Sequence, residues 1–141
     1  MRGRKKPIRK SAQGDKDVIA SFLSAFNRAD ANAMGAHFRK DALVNDQLRD
    51  FWGRPAIEGW IAREVIADSL RIEVLRSFDH YRVTTVVAVI TGTFDTSGLP
   101  NPLVLNLHFS LLGGKIARLF ILLNRQTDTF PDVRRPALKI V

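Results

Sequence analysis

The chain contains no cysteine, so it has no disulfide, no thiolate nucleophile and no thiolate metal ligand. Three scattered histidines, with no His-x-x-x-His pair, do not make a zinc site, and no metal is expected. No Gly-x-Gly-x-x-Gly fingerprint occurs, so no dinucleotide cofactor is expected, nor any other cofactor. Gly113-Gly114 lies between two strand-like runs and lacks the following helix N-terminus that a phosphate cradle needs. A nucleophile elbow for Ser-His-Asp chemistry is also missing. No apolar run reaches the ~18 residues of a membrane span. The start, Met1-Arg2-Gly3-Arg4-Lys5-Lys6, is charged like a signal peptide, but Ser11 to Lys16 stays polar. Export is therefore not expected, and a reducing cytoplasm is the default location.

Charge of one sign is missing from the middle of the chain. The net charge is +8 over 141 residues. Residues 1–16 hold seven Lys/Arg and one Asp, and residues 129–141 hold three and one; residues 17–128 hold twelve of each sign. The basicity therefore lives in two extensions, expected at 1–16 and 126–141, around one neutral domain at 17–125. Such tails are usually solvated, and any contact with nucleic acid or anionic lipid would be weak and confined to the first of them.

Between the tails, helical periodicity comes first. Asp17 is placed to cap a helix to about Ala29, with Val18, Phe22, Leu23, Ala25 and Phe26 as its apolar stripe. Asp30 can cap a second helix through Met34 and His37, the latter read as packing. Short strands follow near 42–46 and 49–52. Pro55 suits the first turn of a third helix, which carries Ile57, Trp60, Ile61 and Val65 on one face. Runs near 70–78, 82–94, 102–112 and 115–123 are rich in Val, Ile, Leu, Phe and Thr and read as four long antiparallel strands. The order of elements predicts an α+β fold with helices packed on one sheet face.

Asp46 is the first candidate for chemistry. In Asp41 to Asp46, Val44 and Asp46 share one side of the strand, and Leu43 and Asn45 share the other. Facing an apolar pocket, the carboxylate would be desolvated and become a proton-transfer base; otherwise it is a hairpin-end Asp bonding its own turn. Residues 103–111 alternate a purely apolar row (Leu103, Leu105, Leu107, Phe109, Leu111) with a mixed row holding Asn106, His108 and Ser110. His108 is either a general acid in a cleft or a hydrogen-bonded core histidine. Trp60 reads as core or pocket wall. Glu64, one turn on, either reaches the pocket rim or pairs with Arg63 on the solvent side.

Val18 to Asp46, then Gly53-Arg54-Pro55-Ala56-Ile57 and the hairpin Gly113-Gly114-Lys115-Ile116, resemble the nuclear transport factor 2-like superfamily over roughly residues 17–125. The nearest likeness is to its SnoaL-like branch, whose relatives include ketosteroid isomerases and polyketide cyclases. The resemblance implies a cone: a strongly curved, cystatin-like sheet wrapped around three helices, with a pocket in its mouth. It puts Asp46 at the position of the ketosteroid isomerase general base, Asn106 at a protonated oxyanion Asp, and Phe22 at an oxyanion Tyr. A phenyl ring cannot donate a hydrogen bond, and losing an oxyanion donor costs ~10²–10³ in rate, so steroid isomerisation as such is not implied.

The resemblance further implies that the mixed row looks into the cone and that the all-apolar row packs elsewhere, across a homodimer interface. The expected ligand is a small hydrophobic or ring-bearing molecule among Phe22, Trp60, Leu119, Ile121 and Leu123. The expected chemistry is cofactor-free isomerisation, cyclisation or dehydration, with Asp46 as base and Asn106 and His108 polarising a carbonyl. A non-catalytic binding module of the same fold is the alternative. Epoxide hydrolysis would need an Asp-Arg-Asp arrangement that the sequence does not assemble.

Overall fold

The computed structural model describes residues 7–125; of the two basic extensions, residues 1–6 and 126–141 lie outside them. Helix α1 spans Pro7–Asn27. Proline suits its first position, where the missing N–H has no intrahelical partner to lose. The expected cap at Asp17 is thereby corrected. Asp17 is exposed within α1 and accepts a hydrogen bond from Gln13 Nε2 at 3.2 Å. No proline interrupts residues 8–16, and the one interior glycine there, Gly14, costs only ~1 kcal/mol against alanine. The helix ends by fastening itself to the sheet: the Asn27 amide both donates to Ile72 O and accepts from Ile72 N, each at 2.8 Å.

Helix α2 spans Ala31–Ala36, and the Asp30 carboxylate caps it by accepting from Ala33 N at 3.0 Å. Strands β1 (Phe38–Asp46) and β2 (Arg49–Trp52) follow, then α3 (Gly53–Trp60), which runs on as a wider, π-helical turn over Ile61–Ile66. Strands β3 (Arg71–His80), β4 (Val83–Thr91), β5 (Val104–Leu112) and β6 (Lys115–Leu123) complete one sheet in the order β2-β1-β6-β5-β4-β3. Every pairing is antiparallel except β1 with β6, which is parallel. Register shifts interrupt β1–β6, β3–β4 and β5–β6. An extra residue bends a strand and sharpens its twist, and the sheet is curved and unclosed.

Two-residue turns join three of the four antiparallel hairpins, with both residues in the left-handed region: Gln47-Leu48 (φ 54° and 72°), Tyr81-Arg82 (49° and 67°) and Gly113-Gly114 (62° and 76°). Only the last carries the glycine signature of such turns. The first is held by its surroundings. Gln47 donates to Ile121 O from both its backbone N and its Nε2, each at 3.0 Å, and Leu48 N donates to Asn45 Oδ1 at 3.1 Å.

The helices cover one face of the sheet, and the core lies between: Phe22, Met34, Val44, Ile57, Ile61 and Leu119 are among its most buried members. On β5 the row turned to this core is the apolar one, with Leu107 and Phe109 buried and Leu103, Leu105 and Leu111 packed against it. The expected orientation of β5 is therefore reversed. Asn106, His108 and Ser110 stand on the outer face. The physical reason is the two-residue period: one row must face in, and the wholly apolar one does so with no polar group to satisfy. Outside, Asn106 Oδ1 accepts from Asn124 Nδ2 and His108 Nδ1 lies 2.8 Å from Thr85 Oγ1. Among the described residues, no helix is long and apolar enough to cross a membrane.

Candidate functional site

Strand β1 delivers Asp46 to the inner face, and the tight Gln47-Leu48 turn brings the chain back so that Arg49 lies directly opposite it. Arg49 donates through Nη2 to Asp46 Oδ2 at 3.0 Å and through Nε to Asp46 O at 3.2 Å. Its other contacts go to Glu64 on the π-helical turn, with Nη1 to Oε2 and Nη2 to Oε1 both at 2.8 Å. This is the two-pronged fit of a guanidinium to a carboxylate. The cation also lies 5.5 Å from the centre of the Phe51 ring. Trp60, one helical turn before Glu64 and 2 % exposed, donates its indole N–H to Asp46 Oδ2 at 3.0 Å. Two carboxylates from different elements thus share one guanidinium, and a buried indole steadies the inner one.

The Asp46 side chain is 16 % exposed. Burial raises its carboxyl above the ordinary value of 3.8, because the charged form loses water. The indole hydrogen bond, Arg49 and Gln47 pull the other way, while Glu64 adds to the rise; burial prevails. Trp60 and Arg49 both engage Oδ2, so Oδ1 is the oxygen they leave free. Arg49 is held more firmly protonated than usual, first by its bond to Glu64.

Asp46 lies at the polar end of a cavity of about 350 Å³, together with Gln47, Arg49, Glu64 and Asp68. Its remaining wall is apolar. Leu70 follows the third helix, while Ile90, Leu103, Leu105 and Leu123 come from the sheet region. Phe94 and Leu99, from the 92–103 connection, close another side. The volume is within the range of small-molecule sites. The same connection borders a second hollow of about 260 Å³ that shares Ile90, Phe94, Leu99 and Leu103.

Of the residues singled out from the sequence, Asp46, Glu64 and Leu123 line the cavity. Trp60 backs Asp46 without lining it. Phe22 is fully buried elsewhere, packed edge-on against Phe26, Phe38 and Phe109 at centroid distances of 6.2, 5.4 and 5.8 Å. Leu119 and Ile121 are core residues. Asn106 and His108 are separated from Asp46 by the thickness of the sheet. Sequence reading missed Arg49, Gln47 and Asp68, and the apolar wall from Leu70 to Leu105. The signal for Arg49 was present, since a two-residue reversal after Asp46 pairs the two across the hairpin. Leu103 and Leu105 were equally within reach through the apolar row. Among the described residues, no group of three His, Cys, Asp or Glu side chains is placed to hold a metal ion.

No protein-family model matches the chain, and no curated protein matches it at a significant score. Solved structures do. A Sinorhizobium meliloti protein provisionally named a polyketide cyclase is 30% identical, with 74% of this chain and 93% of that one covered at a TM-score of 0.67. A Xanthomonas campestris protein with the same provisional name is 22% identical, over 82% and 93% of the two chains, at 0.68. SalBIII, an epoxide hydrolase/cyclase-like enzyme of pyran ring formation in the polyether salinomycin, is 19% identical over 81% and 93%, at 0.67. The last two share the fold. The first, with its identity and coverage added to the curved sheet and helices described above, places the family: this chain belongs to the nuclear transport factor 2-like superfamily, in its SnoaL-like branch.

Proposed function

We propose that the protein binds a small, largely apolar, ring-bearing molecule in the 350 Å³ cavity and moves a proton on it without a cofactor, as an isomerase, cyclase or dehydratase. One observation carries this reading. A mostly buried carboxylate with a raised pKa stands at the polar end of an otherwise apolar cavity. Asp46 Oδ1 takes a proton from the carbon next to a carbonyl, and the C–H electron pair passes into an enolate. The protonated Asp46 then returns that proton to another carbon, or the enolate carbon attacks a second carbonyl to close a ring, the C=O electron pair moves onto oxygen, and the alkoxide so formed takes the proton back from Asp46. Arg49 replaces Asn106 and His108 as the group beside the developing negative charge, because those two stand on the other side of the sheet. The resemblance to the named cyclases supports the class of reaction, not the substrate.

The test uses 2-decalone, a neutral two-ring ketone small enough for the cavity. Deuterium should enter its α-carbon from D₂O in a protein-dependent manner, and Asp46→Asn should abolish this with the melting curve intact. Exchange that survives in Asp46→Asn would remove Asp46 from the chemistry. Binding without exchange would leave the non-catalytic module.

Water addition to an epoxide is a second reading, favoured by the Asp46–Arg49–Glu64 array, in which a Glu takes the place of the second Asp that the sequence did not reveal. Asp46 would take a proton from water as the oxygen attacks carbon and the ring C–O bond breaks, and would then pass that proton to the alkoxide released; incorporation of ¹⁸O from labelled water identifies that path. As a partner, we propose a second copy of this chain against the outer sheet face, where Phe78, Trp52 and Leu122 are exposed. A monomeric sedimentation profile at micromolar concentration would remove that proposal.

A further inference from the structure

The cavity does not end at its apolar wall. Ile90, Phe94, Leu99 and Leu103 line both it and the second hollow of about 260 Å³, so the two spaces meet at these four side chains. Half of that boundary is fixed by the sheet: Ile90 lies in β4, and its N donates to Leu103 O at 2.9 Å. Phe94 and Leu99 belong instead to the 92–103 connection, which is held at its two roots. At the first, Thr93 N and Oγ1 both donate to Asp68 O, at 2.8 and 3.1 Å. Gly92 packs so closely there that a Cβ would lie 2.6 Å from the same oxygen. The second root is Leu103. Between them, among the described residues, 94–102 hydrogen-bond only to one another: Ser97 N to Asp95 Oδ1 at 2.9 Å, and Leu99 N to Thr96 O at 3.0 Å. The latter closes a turn with Gly98 at φ 78°.

The two spaces differ in charge. Asp46, Arg49, Glu64 and Asp68 line the first, whereas no charged residue lines the second. Its own share of the wall comes from Val89, Pro100 and Pro102 with the neutral Thr91, Thr96 and Asn101. A charged group placed there would lose water without gaining a counter-ion. An aliphatic chain would gain by leaving water. So would Leu99, which is 42% exposed although it borders both spaces. Resting on the cavity reading above, we propose that the ligand is longer than its ring. The ring lies against Asp46, and an uncharged, mainly aliphatic tail passes Phe94 and Leu99 into the second hollow. Phe94 and Leu99 are specificity residues for that tail and take no part in the proton transfer.

The experiment uses three ketones with one ring and different tails: 4-methylcyclohexanone, 4-heptylcyclohexanone and 5-(4-oxocyclohexyl)pentanoate, the last two of matched length. In calorimetric titration of the full chain at neutral pH, the heptyl ketone should lead the methyl ketone by roughly 10–100-fold. Complete burial would give about fourfold per methylene, and ordering the tail takes back part of it. The carboxylate-tailed ketone should bind no better than the methyl ketone. Thr96→Trp puts an indole into the second hollow and should cut the heptyl lead to about threefold or less; Thr91→Trp serves if that variant fails to fold.

Equal affinity of the heptyl and methyl ketones would overturn the tail while leaving the cavity as a ligand site. A heptyl lead that survives in the filled variant would overturn the second hollow as its seat. A carboxylate-tailed ketone that matches the heptyl ketone would overturn the selection against charge. If none of the three binds, the cavity reading and this inference fall together. If the heptyl ketone binds as described while 2-decalone exchanges no deuterium, only the proton-transfer reading falls.

Discussion

The inner face of the sheet has two ends built from the same materials with opposite results. At one end Phe22 of α1 meets Phe38 of β1 and Phe109 of β5 edge-on, with Phe26 and the His37 ring alongside, and the space is filled. At the other, leucines from β5 and β6 stop short, and a cavity of about 350 Å³ remains with a carboxylate at its rim. Interlocked rings bring large apolar area and directional contacts to the closed end. The open end has neither, and the group that suffers from desolvation there is the Asp46 carboxylate. In this domain the interlocked rings and the cavity with its buried carboxylate occupy separate ends of one core.

The sharpest way to break the comparison is to hollow out the closed end. Phe22→Ala should cost about 3–5 kcal/mol, the usual loss for a buried ring, read from urea unfolding. A cost below about 1 kcal/mol would mean the rings do not hold that end together. At the open end, Asp46→Asn should lower turnover by ~10²–10⁴, the contribution of a positioned base, with no comparable loss of stability. Asn27→Ala cuts the clasp between α1 and β3 and leaves Ile72 N and O unpaired; about 1–3 kcal/mol should be lost.

Filling the open end reverses the logic. Leu105→Phe should weaken 2-decalone binding by about tenfold while changing stability by less than about 1.5 kcal/mol, as a hydrophobic exchange beside a void. An unchanged affinity would place the ligand elsewhere.

The smallest effect is a pH dependence. The folded protein holds the Asp46 proton more tightly than the unfolded chain, so this group's contribution to stability is complete below 3.8 and is lost as pH rises through the raised folded value. The melting temperature of Asp46→Asn relative to the parent should therefore drift upward as pH climbs out of the acid range. The acid limb of any activity profile should lie above the ordinary carboxylate range. A gap that does not vary with pH would show that burial leaves the Asp46 proton undisturbed.

Much of the architecture was legible beforehand, and for local reasons. Asp30, Pro55 and Gly113-Gly114 punctuate the chain through their own chemistry, and the long Val/Ile/Leu runs announce their strands. The turn at Tyr81-Arg82 escaped because it takes up left-handed geometry without glycine, whereas the reversal at Gln47-Leu48 was expected from the strands on either side of it. At Gln47-Leu48 the geometry is imposed by bonds from Ile121 and Asn45, residues the turn does not contain. The α1 start escaped because Asp17 looks like a cap when only its own neighbourhood is read. Asp46 and Glu64 were each one of two options in the sequence, and both line the cavity, whereas Asn106 and His108, expected beside Asp46, stand on the outer face. For those two, alignment to a family outweighed the simpler argument that an all-apolar row faces a core.

By itself the sequence determined most of the helices and strands, the first ten residues of α1 excepted, and which residues share a side of each, since caps, prolines and periodicity act within a few positions. It also determined that a carboxylate ends the first strand. Tertiary structure alone decided which side of β5 faces inward, that Arg49 bridges Asp46 and Glu64, and that leucines leave a hollow where phenylalanines on the far side leave none. Those outcomes depend on distances between elements far apart in the chain, and on whether side chains reach across the gap once the sheet has curved.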